Sequence, residues 1–183
     1  MSKSIKPILE ASYKPVKQAK KDYEKLGYKF DTSLSSPESK VFVSPSGKPS
    51  IAFRGSTTPQ DFLITDPALA LGLGKYTPRF KEAQELTKKV EQKYGMGADV
   101  YGHSLGGTLA SYSGAKGNII SYNKGVGLGD IGRTVPKQET EIRRSGDVVS
   151  ALTALERKSD PIVLPSVGGI LDTHSVKYAP QYV

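Results

Sequence analysis

The feature that most restricts the fold is a serine flanked by glycines at residues 102–106, which read Gly-His-Ser-Leu-Gly. The short stretch at 98–101, which reads Ala-Asp-Val-Tyr, predicts a strand before it, and a small-residue run to about Lys116 predicts a helix after it. A strand that passes directly into a helix needs a sharp turn, where glycines remove side chains that would collide. The sequence therefore predicts that the Ser104 hydroxyl projects above the edge of a sheet. The alternative is that these glycines serve packing alone.

The rest of the chain alternates predicted strands with predicted helices. Apolar positions at helical spacing indicate helices in residues 5–26, which Pro15 divides, and in residues 78–93. Further strands are predicted at 40–43, 50–54, 118–122 and 139–144. This alternation predicts an α/β fold with a mostly parallel sheet flanked by helices, together with an N-terminal helical segment and a hairpin. We expect a single domain over residues 1–183, with residues 1–30 as a helical extension within it.

Composition excludes several classes of protein. The net charge of +8 favours contact with anionic surfaces, but the lysines are spread along the chain and no nucleic-acid-binding motif is present. The absence of cysteine excludes a disulfide scaffold, a thiolate metal site and a cysteine nucleophile. No apolar run approaches the roughly 20 residues that span a bilayer, and the first residues lack the apolar core of a signal peptide. We expect neither a transmembrane segment nor a specific nucleic-acid partner.

Ser104 needs a base, because a serine hydroxyl is a poor nucleophile until its proton is removed. The chain has two histidines, His103 and His174. His103 is adjacent to the serine and should point away along the turn. His174 lies in a stretch at 161–183 that we predict to be a loop-rich tail. It follows Ser104 along the chain, as the base does in proteins where the nucleophilic serine occupies a turn of this kind. The sequence therefore predicts His174 as the base, the alternative being a surface or core histidine.

The base in turn needs a carboxylate to hold its tautomer and stabilise the imidazolium. Asp147 follows a predicted strand beyond the serine and is the preferred candidate. Asp130, after a glycine-rich stretch, is the competing candidate. Asp160 and Asp172 fit less well, because the first lies in a polar turn and the second is two residues from the predicted base. The alternative role for Asp147 is that of a turn residue that binds its own backbone.

Acyl transfer also needs donors for the oxyanion that forms on the substrate carbonyl. The backbone N–H of Leu105, directly after the serine, supplies the first donor. An earlier strand end supplies the second, and residues 53–56, which read Phe-Arg-Gly-Ser, fit this position. Ser56 offers both a backbone N–H and a hydroxyl. The alternative is an ordinary polar turn after a strand.

Together these segments resemble the class 3 lipases, the fungal-lipase-like branch of the α/β-hydrolases. The matching pieces are residues 53–56, Asp61-Phe62, Thr65-Asp66, residues 102–107, Ser-Gly-Asp-Val-Val at 145–149 and His-Ser-Val at 174–176. The resemblance covers roughly residues 40–178 in the expected order, and the combination is more specific than any one part. It implies an α/β-hydrolase-like fold with Ser104 as nucleophile, Asp147 as acid and His174 as base. It also implies an oxyanion hole formed by Ser56 and Leu105.

Where this family carries its lid, the chain has an apolar, poorly periodic stretch at 57–76. Its candidates for a lid or an acyl groove are Phe62, Leu63, Ile64, Leu69 and Leu71. The alternative for them is core packing. Compact, cysteine-free variants of this kind also resemble lipase-like proteins of viruses and phages. With no predicted signal peptide, this likeness implies a cytoplasmic or virion-associated protein.

The expected function is that of a serine carboxylic-ester hydrolase, a lipase, phospholipase or esterase, that cleaves lipid acyl esters through an acyl-enzyme. The chemistry needs no metal and no organic cofactor. The expected partners are a lipid or other acyl-ester substrate and a transiently contacted anionic membrane surface. Alternatives are a thioesterase, peptidase or acyltransferase on the same scaffold, because the acyl pocket and not the fold decides among them. A non-catalytic lipid- or surface-binding homologue and a nucleic-acid-binding protein are further alternatives.

Overall fold

The computed structural model describes residues 5–56 and 78–182. Within these ranges, the helices are α1 (Lys6–Ser12), α2 (Val16–Lys25), α3 (Pro78–Tyr94), α4 (Leu105–Tyr112) and α5 (Ile170–His174). The strands are β1 (Lys29–Phe30), β2 (Ser39–Val43), β3 (Pro49–Phe53), β4 (Asp99–His103), β5 (Ile119–Tyr122), β6 (Glu139–Arg144) and β7 (Ile162–Leu164). Short 3₁₀ helices cover Leu128–Asp130, Ala151–Leu155 and Val176–Tyr178. The predicted helices and strands are confirmed, although α4 ends earlier than predicted and β1, β7 and α5 were not predicted.

The strands form one seven-stranded sheet in the order in which they occur along the chain. β1, β2 and β3 pair antiparallel, so the predicted hairpin is confirmed as β2–β3. From β3 to β7 each strand runs parallel to its neighbour. The predicted α/β-hydrolase-like class, a mostly parallel sheet flanked by helices, is therefore confirmed. Because parallel strands end at the same edge, the segments that follow β3, β4, β5 and β6 all lie at one edge of the sheet.

Side chains of the central strands alternate between two apolar layers. Ile51 of β3 and Val100 of β4 belong to one buried cluster, together with residues of α3 and α4. Their neighbours Ala52 and Tyr101 belong to the second cluster, together with residues of α1 and α2. This is the period of two that a strand imposes on its side chains. The N-terminal helices therefore cover the face of the sheet opposite to α3 and α4.

The N-terminal helices are two short segments because Pro15 lacks a backbone N–H and clashes with the preceding helical turn. Tyr23 of α2 is fully buried, and its ring stacks on Phe42 of β2 with 4.3 Å between the ring centroids. Its hydroxyl donates to the carbonyl oxygen of Ile8 in α1 at 2.8 Å. One side chain thus joins both helices to the sheet.

The C-terminal part of the chain corrects one prediction. Residues 161–183 are not simply a loop-rich tail, because they contain β7 and α5. β7 pairs parallel with β6, with Ile162 opposite Ile142. Its run of three apolar residues is too short to show a periodicity, and Ile162 and Val163 remain nearly half exposed. Pairing with β6, and not a local pattern, makes this segment a strand.

A buried cluster of charges lies beside the end of β5. The amino group of Lys124 is fully buried, 3.0 Å from Glu139, 3.4 Å from Glu141 and 2.8 Å from Glu156. Arg133 adds a second cation, 2.9 Å from Glu156. Burial alone would lower the pKa of Lys124, but the carboxylates raise it above its ordinary value, so the side chain stays charged. Lys124 therefore joins the end of β5 to β6 and to the segment after the 3₁₀ helix Ala151–Leu155.

Replacing Lys124 by methionine should lower the free energy of unfolding by about 3–5 kcal/mol, because the buried glutamates lose their shared cation. Chemical denaturation followed by circular dichroism measures this change. Lys20→Met is the matched control: Lys20 is half exposed and lies 3.8 Å from Glu24 on the surface, so we expect a loss below about 1 kcal/mol. Equal losses in the two variants would contradict the assigned role of Lys124.

Candidate active site

Ser104 occupies a sharp turn between β4 and α4. Its φ of 57° and ψ of −129° place it in a region that residues other than glycine rarely adopt. A Cβ atom on Gly102 would collide with the carbonyl oxygen of Gly106, and a Cβ atom on Gly106 would collide with that of Phe53. The glycines therefore make room for the close approach of backbones that the turn requires. Strain of this kind costs about 1–3 kcal/mol and is typical of functional sites.

Three side chains predicted from the sequence meet at this turn. The Nε2 atom of His174 lies 2.9 Å from the Oγ atom of Ser104. The Nδ1 atom of the same ring lies 3.0 Å from both carboxylate oxygens of Asp147. All three residues are buried, each less than 5 % exposed. The ionised carboxylate accepts from Nδ1–H, which leaves Nε2 as the acceptor for the serine hydroxyl.

The surroundings of Asp147 keep it ionised. Burial alone would raise its pKa, but hydrogen bonds from His174, from the Val149 N–H and from the Ser150 hydroxyl hold the pKa below its ordinary value. The Val149 and Ser150 groups come from the turn just after the aspartate, as expected for an aspartate in a turn. The Asp147 carboxylate therefore accepts from the turn and from His174 at the same time, because each of its oxygens has more than one lone-pair site.

The other candidate carboxylates lie elsewhere. Asp130 accepts hydrogen bonds from the Gly127 N–H, at 2.9 Å, and from the Tyr112 hydroxyl. Asp172 accepts from the Gly169 N–H at the start of α5, and Asp160 is exposed. Of the aspartates considered in the sequence, Asp147 is the one in contact with His174.

The segment after β3 touches the serine turn. A Cβ atom on Gly55 would lie 3.2 Å from the Cβ atom of Ser104, so this glycine permits the two backbones to approach. Ser56 follows directly and is partly exposed. Leu105 is the first residue of α4, so its N–H is one of the donors that a helix start leaves without an intrahelical acceptor. The predicted lid residues Phe62, Leu63, Ile64, Leu69 and Leu71 lie outside the described residues.

The residue before the serine has contacts that sequence reasoning missed. The Nε2 atom of His103 lies 2.6 Å from the carbonyl oxygen of His174, and its Nδ1 atom lies 2.7 Å from the hydroxyl of Tyr13. Burial and the nearby imidazole of His174 lower the pKa of His103 to about 3, so the ring is neutral. Asn123 also contacts this region, because its side-chain amide donates to the Thr173 carbonyl at 2.8 Å.

The sequence carried a usable signal for only one of these residues. Asn123 is a polar residue directly after a strand whose end lies at the edge of the sheet that carries Ser104. Tyr13 lies 90 positions before His103 in the chain, and only the packing of α1 and α2 against the sheet brings it there.

Two properties of residues 5–56 and 78–182 bear on the kind of site. None of the helices in these ranges has both the length and the apolar character needed to cross a bilayer. In the same ranges, no three His, Asp or Glu side chains are grouped so that they could hold a metal ion.

Comparison with known proteins adds evidence that is independent of this geometry. A phospholipase-like family model, described as a Tle-like phospholipase domain, matches residues 4–126. The matched region includes Ser56, Ser104 and Leu105 but ends before Asp147 and His174. No curated protein matches the chain. Because the family model spans about two thirds of the 183 residues, the chain belongs to the phospholipase-like family of Tle-like phospholipase domains.

Proposed function

We propose that this protein is a serine hydrolase that cleaves acyl esters of phospholipids, with Ser104 as nucleophile, His174 as general base and Asp147 as the orienting acid. The observation that carries the proposal is the continuous hydrogen-bonded series from Ser104 through His174 to Asp147, on a strained turn at the end of β4. Membership in a phospholipase-like family supports the lipid part of the proposal. We propose that residues 1–183 form one hydrolase domain that includes the N-terminal helices.

The reaction begins when His174 Nε2 takes the proton of the Ser104 hydroxyl as Oγ attacks the acyl carbonyl carbon. Asp147 stabilises the imidazolium that forms, without taking its proton. The tetrahedral intermediate collapses, the bond from the acyl carbon to the alkoxy oxygen breaks, and His174 gives its proton to the leaving lysolipid or alcohol. Water, deprotonated by His174, then attacks the acyl carbon, the bond from that carbon to Ser104 Oγ breaks, and His174 returns the proton to Oγ as the fatty acid leaves.

We assign the oxyanion donors to the Leu105 N–H and to Ser56. Leu105 starts a helix, and the missing side chain of Gly55 lets the segment before Ser56 lie close to the turn. Donors of this kind typically contribute about 10²–10³ in turnover each. Phe62, Leu63, Ile64, Leu69 and Leu71 remain the proposed apolar lining for the acyl chain. No cofactor enters this mechanism.

The proposed substrate, an oxygen ester in an anionic lipid surface, follows from the resemblance to class 3 lipases and from the net charge of the chain. The four segments similar to class 3 lipases contain Ser56, Ser104, Asp147 and His174 in order, which favours an oxygen ester over a thioester or a peptide as substrate. The net charge of +8 favours an anionic lipid surface, and this preference should weaken with salt. A non-catalytic lipid-binding protein is the second candidate, and fluorophosphonate labelling together with hydrolysis assays separates it from an enzyme.

Labelling with a fluorophosphonate tests the nucleophile. We expect stoichiometric modification of Ser104 in the wild type, located by peptide mass mapping, because the adjacent imidazole activates this hydroxyl. Ser104→Ala should take up no label. Ser113→Ala is the matched control and should label fully, because Ser113 is also a buried serine but its hydroxyl donates to a backbone carbonyl.

Hydrolysis assays then identify the substrate. We expect fatty acid release from vesicles of phosphatidylglycerol, faster than from phosphatidylcholine vesicles at low salt, and slow release from acyl-coenzyme A. A folded wild type that takes no label and releases no fatty acid, even with anionic vesicles present, would favour the lipid-binding protein over the enzyme.

A further inference from the structure

The backbone that carries His174 is held by side chains from two neighbouring strand ends. His174 ends α5, a helix of only five residues, and its ring must stay within hydrogen-bond distance of Ser104. Asn123, after β5, donates to the Thr173 carbonyl at 2.8 Å, and His103, at the end of β4, contacts the His174 carbonyl at 2.6 Å. Both side chains are buried. Side chains at the ends of β4 and β5 thus hold two consecutive carbonyl groups, those of Thr173 and His174, at the end of α5.

The contacts determine which nitrogen of His103 carries the proton. A carbonyl oxygen only accepts, so Nε2 must donate to His174 O. The ring is neutral, so Nδ1 carries no proton and accepts from the Tyr13 hydroxyl. His174 has the opposite arrangement, because its Nδ1–H donates to Asp147. The two histidines of the chain therefore hold opposite tautomers.

Tyr13 brings the N-terminal layer into this arrangement. It lies between α1 and α2, and its hydroxyl is beside the backbone amide of Gly55, in the segment that touches Ser104. The preceding residue is also anchored, since the fully buried amino group of Lys40 donates to the Ser12 carbonyl at 3.1 Å. Burial raises the pKa of Tyr13, so its hydroxyl keeps the proton that it donates.

We propose that His103 and Asn123 are positioning residues that hold the backbone of His174, and that Tyr13 fixes the tautomer in which His103 does so. Tyr13, in the connection between α1 and α2, then contributes to the arrangement of the site, whereas the helices themselves cover the sheet. The kinetic consequence rests on the proposed function, whereas the proton arrangement does not.

Nuclear magnetic resonance of protein labelled with ¹⁵N-histidine tests the proton arrangement without any substrate. With only two histidines in the chain, we expect one Nε2–H ring that does not titrate above pH 5 and one Nδ1–H ring, assigned with His103→Gln. In Tyr13→Phe the Nδ1 signal of His103 should shift, because its hydrogen-bond donor is gone. The same tautomer for both rings, or a His103 that titrates near pH 6.5, would overturn the proposal.

Steady-state kinetics on a soluble short-chain ester, p-nitrophenyl butyrate, tests the positioning role. We expect His103→Leu to lower kcat about 100-fold with KM little changed, because the base loses its support and a small displacement is costly. His103→Gln retains an amide N–H donor for the His174 carbonyl and should recover most of that loss. Tyr13→Phe should lower kcat about 10-fold, as expected for the loss of one orienting hydrogen bond.

The matched control is Tyr23→Phe. It removes a buried tyrosine hydroxyl from the same pair of helices, one that binds the Ile8 carbonyl and not the site, so kcat should not change. Equal kcat losses in Tyr13→Phe and Tyr23→Phe, or a folded His103→Leu with wild-type kcat, would overturn the proposal. If His103→Leu does not fold, the comparison of Tyr13→Phe with Tyr23→Phe decides the matter. If the wild type hydrolyses no ester, the proposed function fails, and the tautomers alone decide whether His103 holds His174.

Discussion

Replacing His174 by alanine should lower kcat for ester hydrolysis by about 10⁶-fold. This loss is typical when the general base of a hydrogen-bonded Ser–His–Asp triad is removed. The Nε2 atom of His174 is the acceptor 2.9 Å from the Ser104 hydroxyl, and the other histidine is engaged with Tyr13 and with a backbone carbonyl. No neighbouring imidazole is therefore free to replace it. The measurement is the rate of p-nitrophenyl butyrate hydrolysis, with thermal unfolding to show that the variant still melts cooperatively.

The double variant Ser104→Ala with His174→Ala gives a sharper test than either single variant. Because nucleophile and base act as one unit, the double variant should lose no more activity than each single one. Losses that multiply would mean that the two residues act independently. A His174→Ala protein that keeps activity within 10-fold of the wild type would contradict the proposed mechanism.

Asp147→Asn should lower kcat by about 10⁴-fold while the protein remains folded. An asparagine amide donates where the carboxylate accepts, so it favours the tautomer of His174 with the proton on Nε2. That ring could no longer accept the proton of Ser104. Both carboxylate oxygens of Asp147 lie 3.0 Å from the Nδ1 atom of His174, so the substitution acts directly on this ring. The measurement is kcat on the soluble ester.

Asp130→Asn is the matched control for Asp147→Asn. Both aspartates are buried, and both were candidates from the sequence, but Asp130 binds the Gly127 N–H and the Tyr112 hydroxyl. We therefore expect Asp130→Asn to lower stability and to leave kcat within about threefold, since contacts remote from a site act independently of its chemistry. The reverse pattern of losses would assign the acid to Asp130.

Local sterics explain which parts of this protein were predictable. Residues 102–106 determine the turn at Ser104, because the close approach of backbones there requires glycine at positions 102 and 106. Pro15 divides the N-terminal helices for an equally local reason, the missing N–H of proline.

Elements with weak local signals were not predictable. β7 has three residues, and its strand conformation comes from pairing with β6. The sequence favoured Asp147 over Asp130 as the acid, because Asp147 follows a predicted strand beyond the serine, but it did not exclude Asp130. Contact with the imidazole separates them, and that contact depends on where α5 ends relative to β6, which no local pattern encodes.

The sequence by itself determined the fold class, the serine on its turn, and the candidates for base, acid and oxyanion donors, because each depends on residue types at short spacing or on chain order. Tertiary structure alone decided that Asp147 contacts His174, that Asn123 and His103 hold its backbone, and that Tyr13 reaches the site from the opposite layer. These contacts join residues 27 to 90 positions apart. Packing of helices on both faces of the sheet brings such residues together. These contacts cannot be inferred from the spacing of the residues along the chain.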